Sequence, residues 1–170
     1  MTPKLYNNSL ELIGFLKDII SCTVTEKRNG MYECEFIYPL AGELYDELKE
    51  DCYILTKSND NDPLQFFRIY SKSPEIRGKT TYKAEHISYL LNSNPIEAVK
   101  VENSSASTAI NAIKDAAKIS QGFTFTSDVN GLGSIDLQAL SVKQALGGIE
   151  GSLLDVFGGE YYYNNKSVKL

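Results

Sequence analysis

Residues Ala139 to Leu170 read ALSVKQALGGIEGSLLDVFGGEYYYNNKSVKL, and this block carries the densest local signals in the chain. Ser141 stands where a helix N-cap belongs, its hydroxyl placed to accept an otherwise unpaired backbone N–H. Leu146, Ile149, Leu153 and Phe157 follow at steps of three and four, the spacing of one apolar helix face. Gly158 and Gly159 then end the helix, since glycine most easily takes the left-handed backbone at a helix terminus. Tyr161, Tyr162 and Tyr163 start an aromatic run suited to a strand. The predicted unit is helix, glycine stop, strand. Gly147, Gly148 and Gly151 fall inside the periodic part, where each costs about 1 kcal/mol of helix stability relative to alanine. Either the helix breaks at Gly147-Gly148 or another backbone packs very close there. If Gly158 or Gly159 holds a positive φ, alanine at that position destabilises, and asparagine, which tolerates the left-handed region, is expected to be milder.

Upstream of this block, Phe123 to Asp128 reads as a strand and Asn130-Gly131 as a turn. A helix precedes them, capped by Ser105 and carrying Ala109, Ile110, Ile113, Ala116 and Ala117 as a narrow apolar stripe, with Gly122 just past its end. Between Asn92 and Asn103 the composition turns polar around Pro95, which places a boundary there: residues 1–98 as a β-rich, barrel-like domain, and 99–170 as an α+β segment of helix, strand, helix and strand. That segment is either the start of a second domain or a truncated part of the first.

The first part is a succession of short strands. Its firmest element is a hairpin, Ile19–Lys27 with Met31–Tyr38. A two-residue Asn29-Gly30 turn would mix apolar and polar residues on both faces. A three-residue Arg28-Asn29-Gly30 loop puts Ile20, Cys22 and Val24 on the face of Cys34, Phe36 and Tyr38, and is preferred, with Gly30 in the left-handed position of a bulge. Pro39 ends the hairpin, and Leu44 and Leu48 suggest one or two helical turns over Glu43–Glu50. Cys52–Lys57 and Leu64–Ser71 form a second hairpin, and Thr80–His86 alternates with Tyr82, Ala84 and His86 on one side. Ahead of these, Leu5 and Tyr6 suggest a strand with a turn at Gly14. The fold class expected is α+β, mainly antiparallel β, with a barrel-like arrangement and short helices.

The chain has 170 residues, 42% apolar and 23% charged, the composition of an ordinary globular protein. It contains no apolar run of membrane-spanning length and no basic-then-apolar leader, so synthesis and folding in a cytoplasm are expected. A net charge of -5 does not favour nonspecific attraction to nucleic acid. Cys22, Cys34 and Cys52 lack C-x-x-C spacing and are read as small buried hydrophobes with free thiols. In the preferred register Cys22 and Cys34 are diagonal neighbours about 7 Å apart, beyond easy disulfide reach.

No catalytic, cofactor or metal residues are assigned. His86, the sole histidine, falls beside Tyr82 and Ala84 facing inward, which favours a hydrogen-bonded packing role. There is no G-x-S-x-G nucleophile elbow, no phosphate-binding glycine loop and no dinucleotide fingerprint. Asp128 to Asp136 imitates a calcium loop, but Leu132 occupies the fifth ligand position and Ala139 the position of the bidentate glutamate, so a plain turn is preferred. Tyr161 and Tyr163 share a strand face that suits half-buried packing better than sugar stacking.

Ala145-Leu146, Gly148-Ile149-Glu150-Gly151-Ser152 and Leu153 through Glu160 closely resemble the signature of the N-terminal tail-hub region of phage minor structural proteins, the tail-associated "prophage endopeptidase tail" family of phages infecting Gram-positive bacteria. Ser21 to Glu26, Asn29-Gly30, Tyr32-Glu33 and Tyr38-Pro39-Leu40 resemble the family's opening hairpin. Gln65 to Tyr70 and Ala84 to Tyr89 resemble its middle, so the likeness spans nearly the whole chain. The resemblance implies a noncatalytic structural protein similar to baseplate hub proteins: a homotrimeric ring of barrel-like domains in the virion tail, between tail tube and tip. Its partners would be copies of itself and the distal tail and tape-measure proteins, and its ring would leave a channel for DNA. No membrane and no sequence-specific nucleic acid are implied. Family members run to several hundred residues, so a chain ending at Leu170 reads as a fragment, with any peptidoglycan-cleaving domain beyond it. The residues expected to matter are structural: Gly30 for the hairpin, Leu153 and Phe157 for the core, Gly158 and Gly159 for the helix stop. Two rivals stand beside this reading, part of a cell-wall endopeptidase and a host-carbohydrate-binding module.

Overall fold

The computed structural model describes residues 1–74 and 77–170, which form two compact units, residues 1–87 and 88–170. In the first, β1 (Lys4–Tyr6), β2 (Leu12–Phe15), β3 (Ser21–Glu26), β4 (Tyr32–Pro39), β5 (Tyr53–Thr56), β6 (Gln65–Pro74) and β7 (Lys79–His86) make one antiparallel sheet in the order β2-β1-β5-β6-β7-β4-β3. Period-two alternation sorts its side chains. Tyr32, Cys34, Phe36 and Tyr38 from β4 are buried beside Thr80, Tyr82, Ala84 and His86 from β7, while Glu35 and Lys83 between them face solvent. Phe36 and Tyr82 stack at 4.8 Å between ring centres.

The β3–β4 register is the preferred one: Cys22 lies opposite Phe36 and Val24 opposite Cys34. Lys27 and Met31 close the three-residue loop, Lys27 N–H donating to the Met31 carbonyl at 2.7 Å. The glycine's expected part is corrected. Asn29 has φ 50, whereas Gly30 is not in the left-handed region. Asparagine's short polar side chain tolerates that conformation, so the turn takes its left-handed residue one place earlier.

Gly14 is likewise not a turn but a residue inside β2, opposite Leu5. The turn lies at Asn7, whose Oδ1 accepts from Ser9 N–H at 3.0 Å and Glu11 N–H at 2.9 Å. A Cβ on Gly14 would sit 2.9 Å from Leu44 Cδ1, so the glycine makes room for the segment crossing it. That segment shortens the expected helical turns to a 3-10 turn at Tyr45–Glu47, with Leu48 fully buried behind it.

The sheet is rolled. β3 and β5 are four strand steps apart in the order, about 19 Å in a flat sheet. Yet Cys22 Sγ on β3 lies 3.9 Å from Thr56 Oγ1 on β5. An irregularity in the β6–β7 register between Ile69 and Ser71 sharpens the bend as β-bulges do. The strand order nevertheless ends at β2 and β3, and no closed barrel is formed among the described residues.

The second unit comprises β8 (Val99–Ser105), α1 (Ala106–Ala116), β9 (Thr124–Thr126), β10 (Leu132–Leu137), α2 (Val142–Leu146), α3 (Leu153–Phe157), β11 (Tyr162–Asn164) and β12 (Ser167–Lys169). β8 pairs antiparallel with β10, and β11-β12-β9 form a small sheet in which β12 and β9 run parallel. β8 has no counterpart in the sequence reading, because Lys100, Glu102 and Asn103 hide the alternation of Val99 and Val101. Residues 88–98 pack with this unit, Leu91 and Ile96 lying in its core. Ser105 caps α1 by accepting from Thr108 N–H at 3.2 Å, and Ala109, Ile110 and Ile113 bury the expected stripe. Overall the fold is α+β, mainly antiparallel β, with few short helices.

Candidate functional site

The C-terminal block builds the core of the second unit from the cap upward. Ser141 Oγ accepts from Gln144 N–H at 3.2 Å, and Gln144 Oε1 accepts from Ser141 N–H at 3.1 Å, a complete capping box. The helix breaks at the glycine pair. α2 ends at Leu146, and Gly148 (φ 95) and Gly151 (φ 75) turn the chain before α3 begins. The break splits the apolar stripe: Leu146 and Leu153 are fully buried, while Ile149 and Phe157 are half-buried.

The α3 stop uses both glycines. Gly158 N–H donates to the Leu154 carbonyl at 2.9 Å. Gly158 itself has φ 66 and ψ -160, and Gly159 has φ 98. A Cβ on Gly159 would lie 3.1 Å from Val129 Cγ2 and 3.4 Å from Leu170 Cδ1. Gly133 on β10 is a third structural glycine that sequence reasoning left unassigned. Its missing Cβ would sit 2.7 Å from Val156 Cγ1 and 2.9 Å from Phe157 Cζ, so α3 reaches β10 only because that side chain is absent.

The tyrosine run turns two of its rings inward. Tyr161 is buried and its hydroxyl donates to the Leu146 carbonyl at 2.8 Å, tying the strand to the end of α2. Tyr163 is half-buried, and Tyr162 alone is 50% exposed. Lys143 Nζ donates to Tyr163 Oη at 3.0 Å and lies over the rings of Tyr163 (4.7 Å) and Tyr89 (5.5 Å). The sequence did not single out this arrangement, because Tyr89 and Lys143 are far apart in the chain. Burial pushes the Lys143 ammonium down to about 8. An unfolded lysine keeps its proton to about pH 10.4, so between these values the unfolded chain binds more protons and stability rises with pH. We therefore expect the parent to gain stability relative to Lys143→Met as pH is raised from about 7 to about 9.5, below tyrosine ionisation. Denaturant melts at the two pH values check this, and a pH-independent difference would exclude a buried, titrating Lys143.

His86 is fully buried, stacked on Tyr32 at 4.5 Å between ring centres, with Nε2 3.1 Å from Gln65 Oε1. Such a ring cannot touch a substrate at the surface. In the calcium-like stretch, Asp128 pairs with Lys169 at 2.5 Å, Leu132 starts β10, and Asp136 accepts from Gln138 Nε2 at 3.0 Å. The Lys169 ammonium holds the Asp128 carboxyl below its ordinary value. The three cysteines have free thiols. Cys22 and Cys34 keep their diagonal positions, but their Sγ atoms lean together to 3.6 Å, much closer than the separation expected from strand positions alone. Cys52, half-buried, donates to the Glu47 carbonyl at 3.6 Å.

No protein-family model matches the chain, and no curated protein matches it by sequence. Among solved structures, the fold is similar to that of prophage tail protein gp18 from Listeria monocytogenes EGD-e, with a TM-score of 0.74 at 14% identity. The match covers 99% of this chain and 50% of the Listeria protein, so the chain spans half the length of its structural neighbour.

Proposed function

We propose that this chain is a structural component of a phage or prophage tail, the N-terminal part of a tail-tip or baseplate hub. The observation that carries the proposal is the fold itself, shared over 99% of the chain with a prophage tail protein. Its work is interfacial packing, not bond chemistry, in keeping with a sole histidine sealed between Tyr32 and Phe67. The rolled seven-stranded sheet supplies a barrel-like wall. Among the described residues β2 and β3 end the strand order, and Leu12, Phe15 and Ile20 on or beside them are each about half exposed, as surfaces that meet other subunits are. In this reading the intact encoded protein forms a homotrimeric ring against distal tail and tape-measure proteins, with a passage for DNA.

Particles induced from the encoding strain and labelled with antibodies to this chain are expected to carry label at the tail tip. Tail particles without label there would remove the proposal. In parallel, light scattering is expected to find the 170-residue chain mostly monomeric at micromolar concentration and the intact encoded protein trimeric. The reason is that a stable oligomer commonly buries about 1,200 Å² or more, and half the length of the neighbour provides only part of that surface. Peptidoglycan release by the 170-residue chain would favour the endopeptidase reading instead. Glycan-array binding by the 170-residue chain would favour the carbohydrate module.

A further inference from the structure

The thiols of Cys22 and Cys34 meet at 3.6 Å and have no part in the tail reading. Cys34 lies on β4 and is buried; Cys22 lies on β3, the end strand of the sheet, and is half-buried. Cys22 Sγ also touches Thr56 Oγ1 at 3.9 Å, which places it at the seam where the rolled sheet brings β3 over β5. A disulfide requires the sulfurs at about 2.05 Å, so they must close by about 1.5 Å. Among the described residues β3 stands at the end of the strand order with β4 as its ladder partner, and an end strand can move that far without breaking a second ladder.

We propose that Cys22 and Cys34 form a thiol–disulfide exchange site that takes small-molecule disulfides and closes into a bridge joining β3 to β4. Cys22, the more exposed, attacks one sulfur of RS–SR as its thiolate. A Cys22–S–S–R mixed disulfide forms, the RS–SR bond breaks, and RS⁻ leaves to take a proton from water. Cys34 then releases its proton to solvent and attacks Cys22 Sγ, expelling the second RS⁻, which is protonated in turn. The protein dithiol is oxidised by two electrons and one RS–SR is reduced to two RSH. The order of attack suits the pair: the hydrogen bond from Cys34 holds the Cys22 thiol below its ordinary range, while that same bond and burial push the Cys34 thiol up.

The test uses oxidised glutathione on the folded chain, followed by acid quench, alkylation and trypsin, which cuts after Lys17, Lys27, Arg28 and Lys49. A peptide pair joining residues 18–27 to 29–49 is expected, with loss of alkylation at both Cys22 and Cys34 and no link to Cys52. In Cys34→Ser the second step is blocked, and the glutathione adduct is expected to accumulate on Cys22. Full alkylation of Cys22 and Cys34 after oxidation, or a link to Cys52 in place of Cys34, would overturn the proposal, as would Cys34→Ser protein carrying no adduct on Cys22. If Cys34→Ser does not fold, the peptide map of the unaltered chain decides alone.

Discussion

Leu153→Ala is expected to destabilise the second unit by about 2–5 kcal/mol, the range for truncating a fully buried leucine without collapse of the space it leaves. Leu153 opens α3 with no exposed surface, in a cluster with Ile110, Ile113, Ile135, Leu146 and Val168. α3 packs on α1, α2 and β10 together, so no single neighbour can slide in to fill the void. A compact unit has only about 5–15 kcal/mol of stability in all, which makes this loss large. All three α-helices among the described residues lie in this unit, so the helical part of the circular dichroism signal in urea melts reports mainly on it. Phe157→Ala, at a half-buried ring resting on Gly133, is expected to cost less. A Leu153→Ala melt within about 0.5 kcal/mol of the parent, the range of inert surface changes, would contradict the packing described.

Gly158→Ala is expected to cost roughly 1–3 kcal/mol, and Gly158→Asn to be no better. This corrects the milder effect that a left-handed helix end would allow asparagine. The φ of 66 is shared with the left-handed region, but the ψ of -160 is not, and that combination is open essentially to glycine alone. Beyond Gly158 and its chain neighbours, nothing among the described residues lies within 4 Å of where a Cβ would stand, so the penalty is backbone strain and not a clash with packed side chains. Gly30→Ala is the control. Its backbone is not left-handed and a Cβ there would meet nothing nearer than 3.4 Å, so that variant is expected to match or slightly exceed the parent. Gly158→Asn melting like the parent while Gly158→Ala does not would show that the stop is an ordinary left-handed cap after all.

What the sequence determined by itself was local and periodic. The Ser141 and Ser105 caps, the three-residue hairpin loop with its register, and the buried alternation of Tyr82, Ala84 and His86 all follow from interactions within a few residues or from the rule that one face must be apolar. At Gly147-Gly148 the sequence leaves a helix break and a close backbone approach both open, and the structure shows the break. The tertiary structure decided whatever depends on chain segments distant in sequence. The polar stretch at Val99–Ser105 becomes a strand because β10 offers it a ladder. Gly14 and Gly133 are required by Leu44 and Phe157, side chains that no local pattern connects to them. The seam between β3 and β5 comes from sheet curvature, which accumulates over strands and is invisible in any one of them. Side-chain reach decided the thiol contact: register sets where Cys22 and Cys34 stand on their strands, but only packing against the rolled sheet turns both Sγ atoms into the same 3.6 Å gap.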